Sequence, residues 1–379
     1  MQNSDFDIAE IIEGTTKFLV PRESITEKVP PKEPAFFNPR AKLNRDFSII
    51  AYSAFLKNFD GPKIFLEGLS GLGARGLRVS NEIKSVEKVV INDLNPSALD
   101  IAKRSAKLNE LKNVDFSENE ICRFLSDYSK KGNRGTIVDI DPFGSPSRYI
   151  DCGIRATMHG GMLSVTATDL QVLHGLFQNA CKRRYGGTPI KVEYGNEIAI
   201  RLILGCIRSV AARLDIEFIP LFVESDMHYY RVYLKILNRP DQEENLGYII
   251  HCKKCGKRET SLEKKINCES CGEKNHHAGP LWIGKMFDKK FLELMLDETT
   301  NFQVDKTCER IIQKCILEED MPGTYYTLDE IASRLKTSPI RLEKIIEKLQ
   351  ESGFKASQTC LNPTGFRTDA DIEKIKEFF

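Results

Sequence analysis

The residues best suited to chemistry in this chain form a tetrapeptide, Asp141-Pro142-Phe143-Gly144, that follows an apolar, β-branched run from Thr136 to Ile140. The run reads as a strand, the fourth of its pattern, and Ser145-Pro146 opens a helix behind it. A carboxylate at a strand end accepts one N–H of an aromatic amine, and a neighbouring backbone carbonyl accepts the other. Asp141 and the Pro142 carbonyl would in this way aim the nitrogen lone pair at an incoming methyl group. Phe143 would stack on a base drawn out of its helix. In isolation Asp-Pro followed by Gly is an ordinary turn, and its position after the fourth strand is what favours chemistry. Asp139 faces the same side of the strand and reads either as tuning the site or as a structural acid. Thr166-Ala167-Thr168-Asp169 ends the next strand and reads equally as pocket lining or helix cap.

A methyl donor needs its own cradle. Lys63 to Leu66 reads as a strand running into Glu67-Gly68-Leu69-Ser70-Gly71-Leu72-Gly73, with helix from Ala74 to Ile83. Gly71 and Gly73 lack a Cβ, so the backbone can turn sharply and lie against a ligand at the carboxyl edge of a sheet, although glycines also serve plain strand-to-helix turns. Asp93 ends the next strand, Val89-Val90-Ile91, where an acid accepts both ribose hydroxyls. A helix cap is the competing role, but Asn95 before Pro96 is better placed for that. The acid Glu67 ahead of the glycines favours a cationic, phosphate-free cofactor, which is S-adenosylmethionine rather than a dinucleotide.

Cys252-x-x-Cys255 and Cys268-x-x-Cys271, each followed by a glycine, have the spacing of two metal knuckles. Four thiolates close a tetrahedral zinc site with no position left for catalysis, so the expected zinc is structural. A disulfide pair is the alternative. Seven further cysteines are scattered singly, which favours a reducing compartment, the cytoplasm, and hence metal. His251, His276 and His277 flank the knuckles and read as loop histidines.

The elements that must position these groups follow from length and periodicity. A chain of 379 residues calls for more than one core. Short apolar runs at 63–66, 88–91, 136–140 and 161–167 alternate with helical stretches, after a helix from about Leu43 to Leu56. That alternation predicts an α/β, doubly wound Rossmann-like domain over 1–240. A polar linker near 237–245 separates it from a zinc module over 246–280. Over 281–379 a mostly helical domain is expected, with α+β, winged-helix-like character. There Thr327-Leu328-Asp329-Glu330 has capping-box spacing, a second helix starts at Ser338-Pro339, and 354–359 with 366–368 would form a wing. Lys+Arg number 55 against 54 Asp+Glu, so nucleic acid can be attracted only by local patches. Candidates are Lys182-Arg183-Arg184, extended by Arg155 and Lys191, and the helical Arg334, Lys336, Arg341, Lys344 and Lys348, which alternate with acids as a solvated face does. No apolar window of membrane length occurs, and acids among the first residues speak against a signal peptide.

Taken together, Phe37-Asn38-Pro39-Arg40, Leu43-Asn44-Arg45-Asp46, the loop from Leu69 to Arg78, Asp141 to Pro146, Val165 to Asp169 and Pro363-Thr364-Gly365 resemble the tRNA guanine N2-dimethyltransferase family, which acts on guanine 26. The resemblance runs from about residue 36 to 368. It implies that Arg45, Arg75 and Asp93 bind S-adenosylmethionine, that Asp141 is the catalytic carboxylate, and that the product is dimethylguanosine in tRNA. An acid at the third strand end meets the adenine in that family, and Glu120-Ile121 is the nearest match. Leu69 stands where methyltransferases commonly have a first glycine, and zinc knuckles occur in some members only. The competing functions are a DNA adenine or cytosine amino-methyltransferase, a non-catalytic nucleic-acid-binding regulator and a nicotinamide-dependent dehydrogenase. No obligatory protein partner is indicated.

Overall fold

The computed structural model describes residues 7–240 and 244–379, so residues 1–6, with the first of the acids near the start of the chain, and the linker residues 241–243 lie outside the described part. The chain opens with a hairpin, β1 (Ile8–Glu13) and β2 (Thr16–Pro21), a short α1 (Glu23–Thr26), and α2 (Lys42–Lys57). The expected crossovers follow: β3 (Ile64–Glu67), α3 (Ala74–Glu82), β4 (Lys88–Asn92), α4 (Pro96–Leu108), β5 (Val114–Ser117), α5 (Ile121–Asp127), β6 (Gly135–Ile140), α6 (Ile150–Ala156) and β7 (Thr157–Ala167). After α7 (Leu170–Leu173), α8 (Gln178–Tyr185) and α9 (Gly195–Ala212), the hairpin β8 (Glu217–Asp226) and β9 (Tyr229–Leu237) completes the main sheet.

Seven strands lie in the order β5-β4-β3-β6-β7-β9-β8, all parallel except β9, which runs against β7 and β8. The strand order reverses between β3 and β6, which is where an open α/β sheet leaves a crevice at its carboxyl edge. β3 and β6 are direct neighbours with Glu67 paired to Asp139, so the glycine turn and the Asp141 loop leave the sheet side by side. Helices α2, α3 and α4 pack together on one face, and α5, α6 and α9 on the other. Local chemistry explains the helix starts. Asn95 Oδ1 accepts the N–H groups of Ser97 and Ala98 at 3.0 and 3.3 Å, with Pro96 in the first turn, as its position before the proline predicts.

Two of the seven scattered cysteines depart from the picture of isolated thiols. Cys122 of α5 and Cys152 of α6 are joined by a disulfide, with Cα atoms 5.4 Å apart, because the two helices lie against each other.

Beyond the linker, β10 (Leu246–His251) is flanked by β11 (Arg258–Ser261) and β12 (His276–Trp282) in a small antiparallel sheet, and β12 packs on α9. Helices α10 (Lys289–Glu298) and α11 (Lys306–Glu318) bury Phe291, Leu292, Met295, Cys308, Ile312 and Cys315 in the main core beside α2. A second, smaller core forms around Tyr326, Ile331, Ile345, Leu349 and Phe366. It is built from β13 (Tyr326–Thr327), α12 (Leu328–Leu335), α13 (Leu342–Glu351), β14 (Ala356–Gln358), β15 (Gly365–Thr368) and α14 (Ile372–Glu377), with strand order β13-β15-β14. Thr327 Oγ1 accepts the Glu330 N–H at 3.2 Å, the capping bond its spacing predicts. The second helix starts at Leu342 rather than at Ser338-Pro339, because Arg341 is extended (φ −69°, ψ 141°) and serves as its cap residue. No described helix is long and apolar enough to cross a membrane.

Candidate active site and metal centre

The loop after β3 turns on Gly71 (φ 54°) and Gly73 (φ 75°), both in the left-handed region that L-residues avoid. A Cβ on Gly71 would stand 3.2 Å from the Phe36 carbonyl oxygen, so the cradle is close-walled as well as sharply bent. Asp93 reaches back into it: Oδ2 accepts the Gly71 N–H at 2.7 Å and Oδ1 the Asn95 N–H at 2.9 Å. Asp93 is half-buried and holds the loop in shape. Glu67 is buried beneath the loop and accepts the Gly76 N–H at 3.0 Å. Burial, only partly opposed by Arg75, pushes its carboxyl up to about 8. The Arg75 guanidinium stands 4.0 Å from its other oxygen, so the acid beneath the turn is partly balanced from within the chain.

Glu120 is exposed and caps α5 through an Oε2 bond to the Arg123 N–H at 3.0 Å. The buried Ile121 fills the wall of the loop, since a Cβ on Gly68 would fall 2.8 Å from its Cδ1. Arg45 is buried in a two-pronged pair with Glu13, at 2.7 and 2.6 Å, and lies over the Phe37 ring. That pairing anchors the N-terminal hairpin to α2.

Arg75, in the first turn of α3, joins the glycine turn to the reactive loop. Its Nη2 donates to Asp141 Oδ2 at 2.7 Å and to Asn44 Oδ1 at 2.5 Å, Nη1 to Asp139 Oδ1 at 3.1 Å, and Nε to Ser48 Oγ at 3.2 Å. Asp139 is fully buried; its other oxygen accepts from Tyr52 and Arg231, and from Ser164 at 3.3 Å. Burial alone would raise this carboxyl, but Arg231 and Arg75 outweigh it and hold Asp139 below its ordinary range. Asp139 thus lies between two guanidinium groups that favour its ionised form, and one of these also holds Asp141. Asp141 Oδ1 has no hydrogen bond among the described residues, and the side chain is 28% exposed.

Pro142 is buried and Phe143 is 65% exposed. The Phe36 ring meets Phe143 edge-on, with centroids 4.8 Å apart, and the Lys32 ammonium lies 5.4 Å from the Phe143 centroid. The loop is pinned at Gly144, whose N–H donates to Thr168 Oγ1 at 2.7 Å and whose carbonyl accepts the Thr168 N–H at 2.9 Å. Asp169 turns away to Arg184 and Tyr185.

Sequence reading missed Ser48, Tyr52, Arg231 and the Phe36 contact. Asn44, Ser48 and Tyr52 recur every four residues along α2, and that polar stripe was a signal. Arg231, the third residue of β9, gave none.

The four cysteines come together as two knuckles. Gly256 N–H bonds to the Cys252 carbonyl at 2.8 Å and Gly272 N–H to the Cys268 carbonyl at 2.9 Å, with both glycines left-handed. Sulfur separations of 3.5 Å for Cys252 to Cys271 and 3.6 Å for Cys255 to Cys268 are close to the edge of a tetrahedron around zinc, about 3.8 Å for Zn–S bonds of about 2.3 Å. The donor set therefore fits zinc and leaves no open position. His251 bonds to the Tyr194 hydroxyl and His277 to the Lys265 carbonyl, outside the sulfur cluster. Of the cations on α12 and α13, Arg334 is tied to the Lys253 and Lys254 carbonyls and Lys348 to that of Phe378.

A carboxylate poised for an amine beside an acid-floored glycine turn, both at the switch point of a sheet with one reversed strand, places the molecule among Rossmann-like methyltransferases. The comparison with known families narrows this. The model of the N2,N2-dimethylguanosine tRNA methyltransferase family matches residues 14–379, and the chain belongs to that family. The tRNA (guanine(26)-N(2))-dimethyltransferase of Methanosphaera stadtmanae is 35% identical over 97% of this chain and 95% of its own. That of Methanococcus maripaludis strain C7 is 36% identical over 96% of each. The structure of Trm1 from Pyrococcus horikoshii, in complex with S-adenosyl-L-methionine, superposes with a TM-score of 0.84 at 29% identity, covering 98% of this chain and 99% of that one.

Proposed function

We propose that the chain transfers methyl groups from S-adenosylmethionine to the exocyclic 2-amino group of a guanine in tRNA, at position 26, giving N2-methyl- and then N2,N2-dimethylguanosine. The observation that carries the reading is the single guanidinium of Arg75 spanning from the first turn after the glycine cradle to Asp141, on two parallel strands that share a register. Cofactor bound in the cradle supplies an electrophilic methyl on a sulfonium. Glu67 balances its positive charge, Gly71 and Gly73 admit its close approach, Asp93 meets the ribose, and Ile121, with Glu120 at the mouth, borders the adenine. Arg45 shapes the wall through Phe37.

Asp141 Oδ1 and the Pro142 carbonyl each accept one N–H of the amine, which aims the nitrogen lone pair at the methyl. Asp141 then holds the proton that the nitrogen gives up. A monomethylated amine still offers one N–H to that carboxylate, so the site can act twice. Phe143, exposed and edge-on to Phe36, presents the ring against which a flipped base stacks. The zinc knuckles are structural.

The test is methyl transfer to tRNA and to duplex DNA in parallel, with nucleoside mass measured after digestion. Dimethylguanosine from tRNA alone is the expected product. Incorporation into DNA and not tRNA would reject the assignment in favour of a DNA amino-methyltransferase, and binding of NAD with no response to S-adenosylhomocysteine would reject the cofactor.

A further inference from the structure

A chain with 55 basic and 54 acidic residues must hold a polyanion through a local surface. One such surface lies next to the reactive loop. Helix α8 carries Lys182, Arg183 and Arg184 in its last turn, all exposed. Arg184 is spent on Asp169, at 2.9 Å, and the Tyr185 hydroxyl donates to the other oxygen of the same acid at 2.5 Å. The side chains of Lys182 and Arg183 have no hydrogen bond or ion pair among the described residues. Arg148 is exposed on the turn Ser147–Tyr149, which packs against α8, and its guanidinium lies over the Tyr149 ring.

The segment before the helix is apolar yet uncovered, with Leu176 57% and Phe177 51% exposed. A basic helix end would be favoured by the helix dipole alone. That does not account for two large exposed apolar side chains beside it. The whole segment hangs from the carboxyl end of β7, where Thr168 exchanges two hydrogen bonds with Gly144 of the reactive loop and Asp169 grips α8. The unpaired cations are therefore held at a fixed offset from Asp141.

We propose that Arg148, Phe177, Lys182 and Arg183 form a docking face for the tRNA backbone next to the flipped guanine, with the cations on phosphates and Phe177 against an adjoining base. This rests on the tRNA reading above and adds to it the surface that holds the strand. Phosphate contacts release counterions, so each lost contact lowers the slope of log K against log salt by about 1. Base stacking on an aromatic ring is tolerant of sequence.

The test uses the full chain and an unmodified tRNA transcript, with affinity measured over a series of salt concentrations. In the double variant Lys182→Ala/Arg183→Ala, tRNA affinity should fall about tenfold at physiological salt, the salt slope should drop by about 2, and the KM for tRNA should rise in step. S-adenosylmethionine affinity stays at the wild-type value, which shows the variant folded. Lys182→Arg/Arg183→Lys should restore binding, and Phe177→Ala should weaken binding without changing the salt slope. Wild-type affinity and slope in the double variant overturn the docking face while leaving the methyltransferase reading intact. Wild-type protein that binds no tRNA overturns both, and tighter binding of duplex DNA than of tRNA reassigns the face to DNA and overturns it as stated.

Discussion

Asp141 has one oxygen committed to Arg75 and one free, and this division sets what the residue can do. The committed oxygen fixes the plane of the carboxylate, and in the proposed reaction the free one accepts from the substrate. Asp141→Ala should lower single-turnover methyl transfer by about 10²–10³-fold, by analogy with loss of one preorganised polar partner, while tRNA and S-adenosylmethionine affinities remain near wild type. Turnover persisting in that variant would remove Asp141 from the mechanism. Glu67 gives a pH dependence. Its carboxyl is raised by burial to about 8. The stability this group lends the empty fold is full below its ordinary value of 4.5 and is lost as pH climbs through about 8. A bound cation favours the ionised form, so S-adenosylmethionine affinity should increase as pH rises from about 6 toward 8, with proton release detectable by calorimetry in buffers of different ionisation heat. A flat profile would place Glu67 away from the cofactor charge.

At the scale of elements, the site is a strand-turn-helix unit laid beside a strand-loop unit. The turn is the costly part. Gly73 sits at φ 75° and a Cβ there would stand 3.2 Å from both Ile91 Cγ2 and Cδ1, so Gly73→Ala should destabilise the fold by about 1–2 kcal/mol or more and weaken cofactor binding. Thermal unfolding with and without S-adenosylmethionine measures both effects. Strand, turn and helix around Gly71 and Gly73 were legible because glycine spacing and the change of period from 2 to 3.6 are local. The hairpin β1–β2 was not, because its strands are short and partly exposed, and it is held by Arg45 from another element. Strand β5 went unread as well: only four residues long, at the sheet edge, it carries no clear run.

Across the whole molecule, the zinc module serves as a joint. Arg258, three residues past Cys255, forms a buried pair with Glu330 of α12, donates to the Tyr325 carbonyl at 2.9 Å and lies over Tyr194 and Tyr326. On the neighbouring side, Arg367 of β15 bonds to Glu197 of α9 at 2.9 Å and to Glu318 of α11 at 2.5 Å. These buried pairs fasten the small second core to the catalytic body. Removing one partner leaves a charge stranded, so Arg258→Ala should cost about 3–5 kcal/mol in chemical unfolding. Cys252→Ser should abolish zinc retention by metal analysis and increase protease cleavage between the zinc module and α12. A metal-free protein with unchanged protection would refute a structural zinc.

The sequence by itself determined the short-range features: the glycine turn, the knuckles, the Thr327 cap and the alternation of strand and helix around the glycine turn and the Asp141 loop. Each depends on backbone conformation within a few residues, where residue type acts directly. Tertiary structure alone decided which distant groups meet. Tyr52, Arg75, Asp139 and Arg231 come from four elements and converge only once β3, β6, β7 and β9 are aligned. The Cys122–Cys152 link and the burial of α10 and α11 beside α2 have the same origin. A buried charge gains its partner from the packing of the sheet, and no local pattern in the chain encodes that choice.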